Sequence, residues 1–126
     1  MKTLIKLLLF LLLSFSLFNQ NIFASEKIRI GLIVPLSGDN SLIGEKIIKS
    51  IRMAINKIND DRIEIIPKDT KSNPIDALKV SKELYKEGVK IIIGPVFNES
   101  TKYLDDLKDI TFLSFTNKLI DNPKNV

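Results

Sequence analysis

The chain has 126 residues with 19 basic and 15 acidic side chains, and it contains neither histidine nor cysteine. Those absences exclude a Ser-His-Asp triad, a histidine-held metal, a nucleophilic thiol, lipid attachment at a cysteine and a disulfide-stapled scaffold. The lysines are spread rather than clustered, so the net charge of +4 leaves no basic footprint for nucleic acid.

The N-terminus reads as an export signal. Lys2 and Lys6 precede an apolar run from Leu7 to Phe18, which Asn19, Gln20 and Asn21 interrupt before the roughly twenty apolar residues a membrane-spanning helix needs. Ala24 or Ser25 can supply the small residue just before a cut, whereas Ile22 or Phe23 is a poor third-from-last residue and leaves an uncleaved amphipathic anchor as the alternative. Residues 1–24 are expected to be a signal peptide and residues 25–126 one domain destined for the periplasm. Removing the signal takes two lysines and no acid, which lowers the net charge to +2.

From residue 25 the pattern alternates strand and helix. Ile28 to Pro35 begins by alternating and becomes continuously apolar, as a strand covered on both faces does. Turn residues Ser37, Gly38, Asp39, Asn40 and Ser41 follow, and then Ile47, Ile51, Ala54, Ile55 and Ile58 recur at helical spacing, with Lys46, Lys49, Arg52 and Lys57 lying off that stripe as a solvated face. Arg62 to Ile66 alternates polar and apolar, which suits an edge strand. Asn73 as N-cap, Pro74 at the first helical position and Asp76 in the first turn start a second helix, with Ala77, Val80 and Leu84 inward and Gly88 as its stop. Val89 to Ile93 is a second buried strand ending at Gly94 and Pro95. A short helix with Tyr103, Leu104 and Leu107 as its inner face leads to a fourth strand from Ile110 to Phe115. The expected fold is an α/β doubly wound parallel sheet, with strands near 28–35, 62–67, 89–94 and 110–115 in spatial order two, one, three, four.

Parallel sheets bind ligands beyond the carboxyl ends of their strands, where the winding reverses. Here that point lies between strands one and three, facing the loops 36–44 and 94–101 with the segment 114–117 beside them. The candidate ligand contacts are Ser37, Asn98, Ser100, Thr101, Ser114, Thr116 and Asn117, whose hydroxyls and amides, with the helix N-termini beside them, suit a small ligand carrying a carboxylate or other anion. All but Ser114 have a structural alternative: Ser37, like Ser41, as a turn or cap residue, Asn98, Ser100 and Thr101 as caps of the third helix, and Thr116 and Asn117 as ordinary strand-end residues. Asp69 reads as fixing the loop before Asn73 and Pro74. Gly31, Gly38 and Gly44 are too far apart for a dinucleotide fingerprint or a phosphate loop, and Pro35, Leu36 and Ser37 replace the acidic pair a phosphate-receiving Asp69 would need. No catalysis and no cofactor is implied.

Pro35-Leu36-Ser37-Gly38 with Gly44 and the Ala54 helix, Asp69 with Asn73-Pro74 and Ala77, and Ile93-Gly94-Pro95 followed by hydroxyls together resemble the leucine/isoleucine/valine-binding branch of the type I periplasmic binding proteins, over about residues 27–117. The resemblance implies a receptor that closes two lobes around an amino acid or similar solute and passes it to an ABC permease. It places ligand contacts near Asn98 to Thr101 and at Ser114 to Asn117. Asn98 stands where the family usually has serine, and Leu113 to Asn117 is more similar to the penicillin-binding protein activators, which share the fold and bind a cell-wall synthase. Because family members carry a second lobe after a crossover, the resemblance also makes residues 25–126 an incomplete N-terminal lobe.

Overall fold

The computed structural model describes residues 1, 5, 26–116, 118 and 124–126. The expected export segment therefore lies almost wholly outside the described residues, as does Asn117. Among the described residues no helix is long and apolar enough to cross a membrane.

Four parallel strands, β1 (Ile28–Val34), β2 (Ile63–Asp69), β3 (Ile91–Ile93) and β4 (Thr111–Leu113), form one sheet in the order β2-β1-β3-β4. Order and edge position are those the alternation of β2 implies. β3 and β4 are shorter than expected: Val89 and Ile110 are buried with the core but lie before the residues that pair in the sheet. Three helices connect the strands: α1 (Ser41–Ile58), α2 (Pro74–Lys86) and α3 (Asn98–Leu104).

Strand register sorts the side chains into two faces. Gly31 pairs with Ile92 and Ile92 with Phe112, so these three share a face with Ile33. Helices α2 and α3 cover that face, and Ile33, Leu84, Val89, Ile92, Leu104, Ile110 and Phe112 make its core. At roughly 25 cal/mol per Å² of apolar surface removed from water, each such side chain stabilises the fold by about 1.5–3 kcal/mol. The opposite face carries Ile30, Leu32, Ile63, Ile65, Ile91, Ile93 and Leu113. Helix α1 lies over its β1–β2 side and leaves an apolar groove of about 340 Å³ lined by Leu32, Ile51, Ile55, Ile63, Ile65 and Pro67. Ile91 and Leu113 on the β3–β4 side are exposed.

Local signals account for the helix ends. The Asn73 side chain accepts from the N–H groups of Ile75 and Asp76, with Pro74 in the first turn. At the other end Gly88 has φ +84° and its N–H donates to Tyr85 O, while Val89 N–H donates to Leu84 O. Two inner faces differ from expectation. In α3 the buried residues are Ser100, Thr101 and Leu104, whereas Tyr103 is exposed and Leu107 lies beyond the helix. In α1 Ala54 and Ile58 are exposed, and the helix's buried residue is Gly44, which packs against the loop that leaves β1. A Cβ there would overlap the Pro35 carbonyl.

Beyond β4, residues 124–126 lie beside it. Phe112 N–H donates to Asn125 O at 2.7 Å, and Asp105 Oδ1 accepts from the N–H groups of Lys124 and Asn125 at 2.8 Å each.

Candidate functional site

The carboxyl ends of the strands gather the chain's turn residues. Because β1 pairs in register with β2, Val34 lies opposite Asp69, and the loops that leave these strands start side by side. The Asp69 carboxylate spans them. Its Oδ1 accepts from Leu36 N–H at 2.8 Å and from Lys71 N–H at 2.8 Å, and its Oδ2 accepts from the Ser37 hydroxyl at 2.6 Å. Partial burial acts to raise the Asp69 pKa, but the Ser37 and backbone hydrogen bonds outweigh it and hold the group below the ordinary carboxylate value. The expectation that Asp69 fixes the loop before Asn73 therefore holds, and its reach extends to the first loop as well.

Lys71 and Ser72 follow with φ +49° and +58°, two consecutive non-glycine residues in the left-handed region, each costing roughly 1–2 kcal/mol. Two side chains offset that strain: Asp69 takes the Lys71 N–H, and Asn40 Nδ2 donates to Ser72 Oγ at 3.1 Å.

Between these loops and the start of α3 lies a crevice of about 210 Å³, lined by Asn40, Ser72, Pro74, Phe97, Glu99 and Ser100. It offers an amide, two hydroxyls, one carboxylate and one aromatic ring, a mixture suited to a small polar ligand with an apolar part. It lies at the switch point, where the chain leaves β1 for the edge and returns past it to β3.

The structure distributes the expected contacts unevenly. Ser100 lines the crevice, and Asn98 opens α3 beside it. Asn98 does not cap that helix, since Phe97 occupies the cap position and makes no side-chain cap bond. Thr101 is buried and its hydroxyl donates to Asn98 O at 2.6 Å. Ser37 is exposed, with its proton directed to Asp69. Ser114 ties two strand ends together: its hydroxyl donates to Pro95 O at 3.1 Å and accepts from Thr116 N–H at 3.2 Å. Thr116 Oγ1 in turn accepts from Lys118 N–H. Asn117 falls outside the described residues.

Sequence reasoning missed Asn40, Ser72, Pro74, Phe97 and Glu99 as crevice residues. The available signal was the Asn-Pro start of α2, which places Ser72 immediately before a helix whose N-terminus faces the switch point.

An α/β lobe with a polar crevice at its switch point is the arrangement in which open parallel sheets hold ligands. Residues 27–124 match the family model described as periplasmic binding protein, and the chain belongs to that family. It is 31% identical over 71 residues to the Leu/Ile/Val-binding protein homolog 1 of Brucella abortus, covering 52% of this chain and 19% of that protein. Among solved structures, it resembles a solute binding protein of an ABC transporter from Rhodopseudomonas palustris in complex with 3,4-dihydroxybenzoic acid. That match has a TM-score of 0.66 and 25% identity, over 70% of this chain and 26% of the other. The C-domain of LpoA from Haemophilus influenzae, a regulator of PBP1A, shares the fold with a TM-score of 0.58 and 23% identity, over 68% of this chain and 27% of that one. The chain thus spans about a fifth of the length of the curated relative and about a quarter of these structures.

Proposed function

We propose that this chain supplies one wall of the ligand site of an extracytoplasmic receptor, which takes up a small polar solute of amino-acid type and presents it to an ABC permease without chemical change. The observation that carries this reading is the convergence of the loops after β1, β2 and β3 on one polar crevice at the switch point. The family supports it, as does the likeness to a Leu/Ile/Val-binding protein homolog of Brucella and to a solute binding protein of an ABC transporter from Rhodopseudomonas. Ser37, Asn98, Ser100, Thr101, Ser114, Thr116 and Asn117 remain the proposed contacts, joined by Asn40, Ser72 and Glu99. The export signal at residues 1–24 belongs to the same reading, with cleavage between Ala24 and Ser25 delivering the domain to the periplasm.

An NMR titration of the labelled chain with L-leucine and with 3,4-dihydroxybenzoate tests the proposal. Shifts concentrated in residues 36–44, 70–74 and 94–101 are expected, with an affinity on the order of millimolar. Silence of all three loops at about 20 mM of either probe, a concentration well above that affinity, would overturn it.

A second reading is a non-catalytic envelope regulator that binds a protein partner, such as a cell-wall synthase. Leu113 and Phe115, 54% and 46% exposed at the carboxyl end of β4, favour it. Under this reading both probes leave the loops unmoved, and crosslinking from position 113 captures a cell-wall synthase.

A further inference from the structure

We propose that Asp69 is a positioning residue: it latches the β1–α1 and β2–α2 loops into one rigid wall of the crevice and fixes the polarity of Ser37. The inference rests on the receptor reading for its effect on solute, but its structural part stands on geometry alone. Three donors from two loops converge on one carboxylate, Leu36 N–H and Lys71 N–H on Oδ1 and the Ser37 hydroxyl on Oδ2. A carboxylate is an acceptor only, so the Ser37 proton is committed, and this exposed hydroxyl, which stands outside the crevice lining itself, keeps only acceptor capacity. Solute groups that donate, an ammonium or a hydroxyl, therefore suit Ser37 better than a carboxylate does. The second function of the latch is to hold the left-handed turn at Lys71 and Ser72, whose second residue lines the crevice.

The division of bonds between the two oxygens makes the latch separable by substitution. Asp69→Asn keeps an oxygen able to accept both backbone N–H groups but turns the second acceptor into a donor, which reverses the bond to Ser37. Asp69→Ala removes all three bonds. Ser37→Ala removes the hydroxyl and leaves the backbone bonds in place.

The experiment is amide hydrogen exchange with ¹⁵N relaxation on the full chain recovered from the envelope fraction, followed by titration with L-leucine. In Asp69→Ala the Leu36 and Lys71 amides should exchange about tenfold faster or more, and together, while Leu32 and Ile92 in the sheet stay protected. Asp69→Asn should keep both amides protected yet weaken L-leucine binding about as much as Ser37→Ala does. If Asp69→Ala proves too unstable to study, the paired Asp69→Asn and Ser37→Ala titrations carry the test. Unchanged exchange at Leu36 and Lys71 in Asp69→Ala overturns the latch, and unchanged L-leucine affinity in Asp69→Asn overturns the polarity of Ser37. Faster exchange at both amides in a chain that binds neither L-leucine nor 3,4-dihydroxybenzoate upholds the latch and removes the receptor reading instead.

Discussion

Three aspartates carry the chain's clearest electrostatic commitments. A side-chain hydrogen bond from Arg62, reinforced by the Arg62 N–H, holds Asp60 at about 2. The N–H groups of Asn125 and Lys124 lower Asp105, and the Ser37, Leu36 and Lys71 donors lower Asp69 against its partial burial. In each case the folded pKa lies below the ordinary aspartate value of about 3.9, so the folded state binds its proton less readily than the unfolded chain. The stability these groups contribute is complete above that value and is lost as pH falls below it. Thermal melts should show Tm falling most steeply between about pH 4 and pH 2, with Asp69→Asn and Asp105→Asn each flattening the fall. A Tm that does not change across that interval would contradict the assignment.

Among the elements, the ends and close approaches of helices are more sensitive than their exposed faces. Asn73 satisfies two N–H groups at the start of α2, and Asn73→Ala is expected to cost about 1 kcal/mol. For a domain of this size that lowers Tm by roughly 4–8 °C. Gly44 sets two opposing effects against each other. Alanine improves helix propensity by about 1 kcal/mol over glycine, but its Cβ would meet the Pro35 carbonyl, a backbone group that cannot rotate away. Overpacking of that kind costs about 1–3 kcal/mol, so Gly44→Ala should lower Tm, with α1 displaced from the β1–α1 loop. A Tm higher than that of the parent protein would mean that the loop yields at little cost.

At the scale of the whole molecule, the proposed receptor reading makes the crevice the determinant of affinity and residues 1–24 the determinant of destination. Sites that enclose a small molecule occupy roughly 300–1,000 Å³, and this one has about 210 Å³. Contacts from one wall leave most of the association cost uncompensated. Calorimetry of the chain against amino acids should therefore find nothing tighter than about millimolar, equivalent to roughly 4 kcal/mol. Micromolar binding would show that this wall suffices. For export, mass spectrometry of the envelope fraction should find a chain that begins at Ser25, whereas one that keeps Met1 and sediments with membranes would refute processing there.

The order of the strands was legible in the sequence because burial leaves a local trace. The alternation of Arg62 to Ile66 marks an edge strand, and the continuous run at Leu32 to Val34 marks one covered on both faces. The Asn73-Pro74 start and the Gly88 stop were equally legible, since caps are satisfied within a few residues of chain. The inner face of α3 was not, because seven residues are too few for periodicity to choose between Tyr103 and the Ser100–Thr101 pair. Nor was the crevice. Ser37 and Asp69 are 32 residues apart, and what joins them is the parallel register that sets Val34 opposite Asp69. Short-range sterics and periodicity are written along the chain, whereas contacts between loops exist only after strand pairing has decided which strand ends are neighbours.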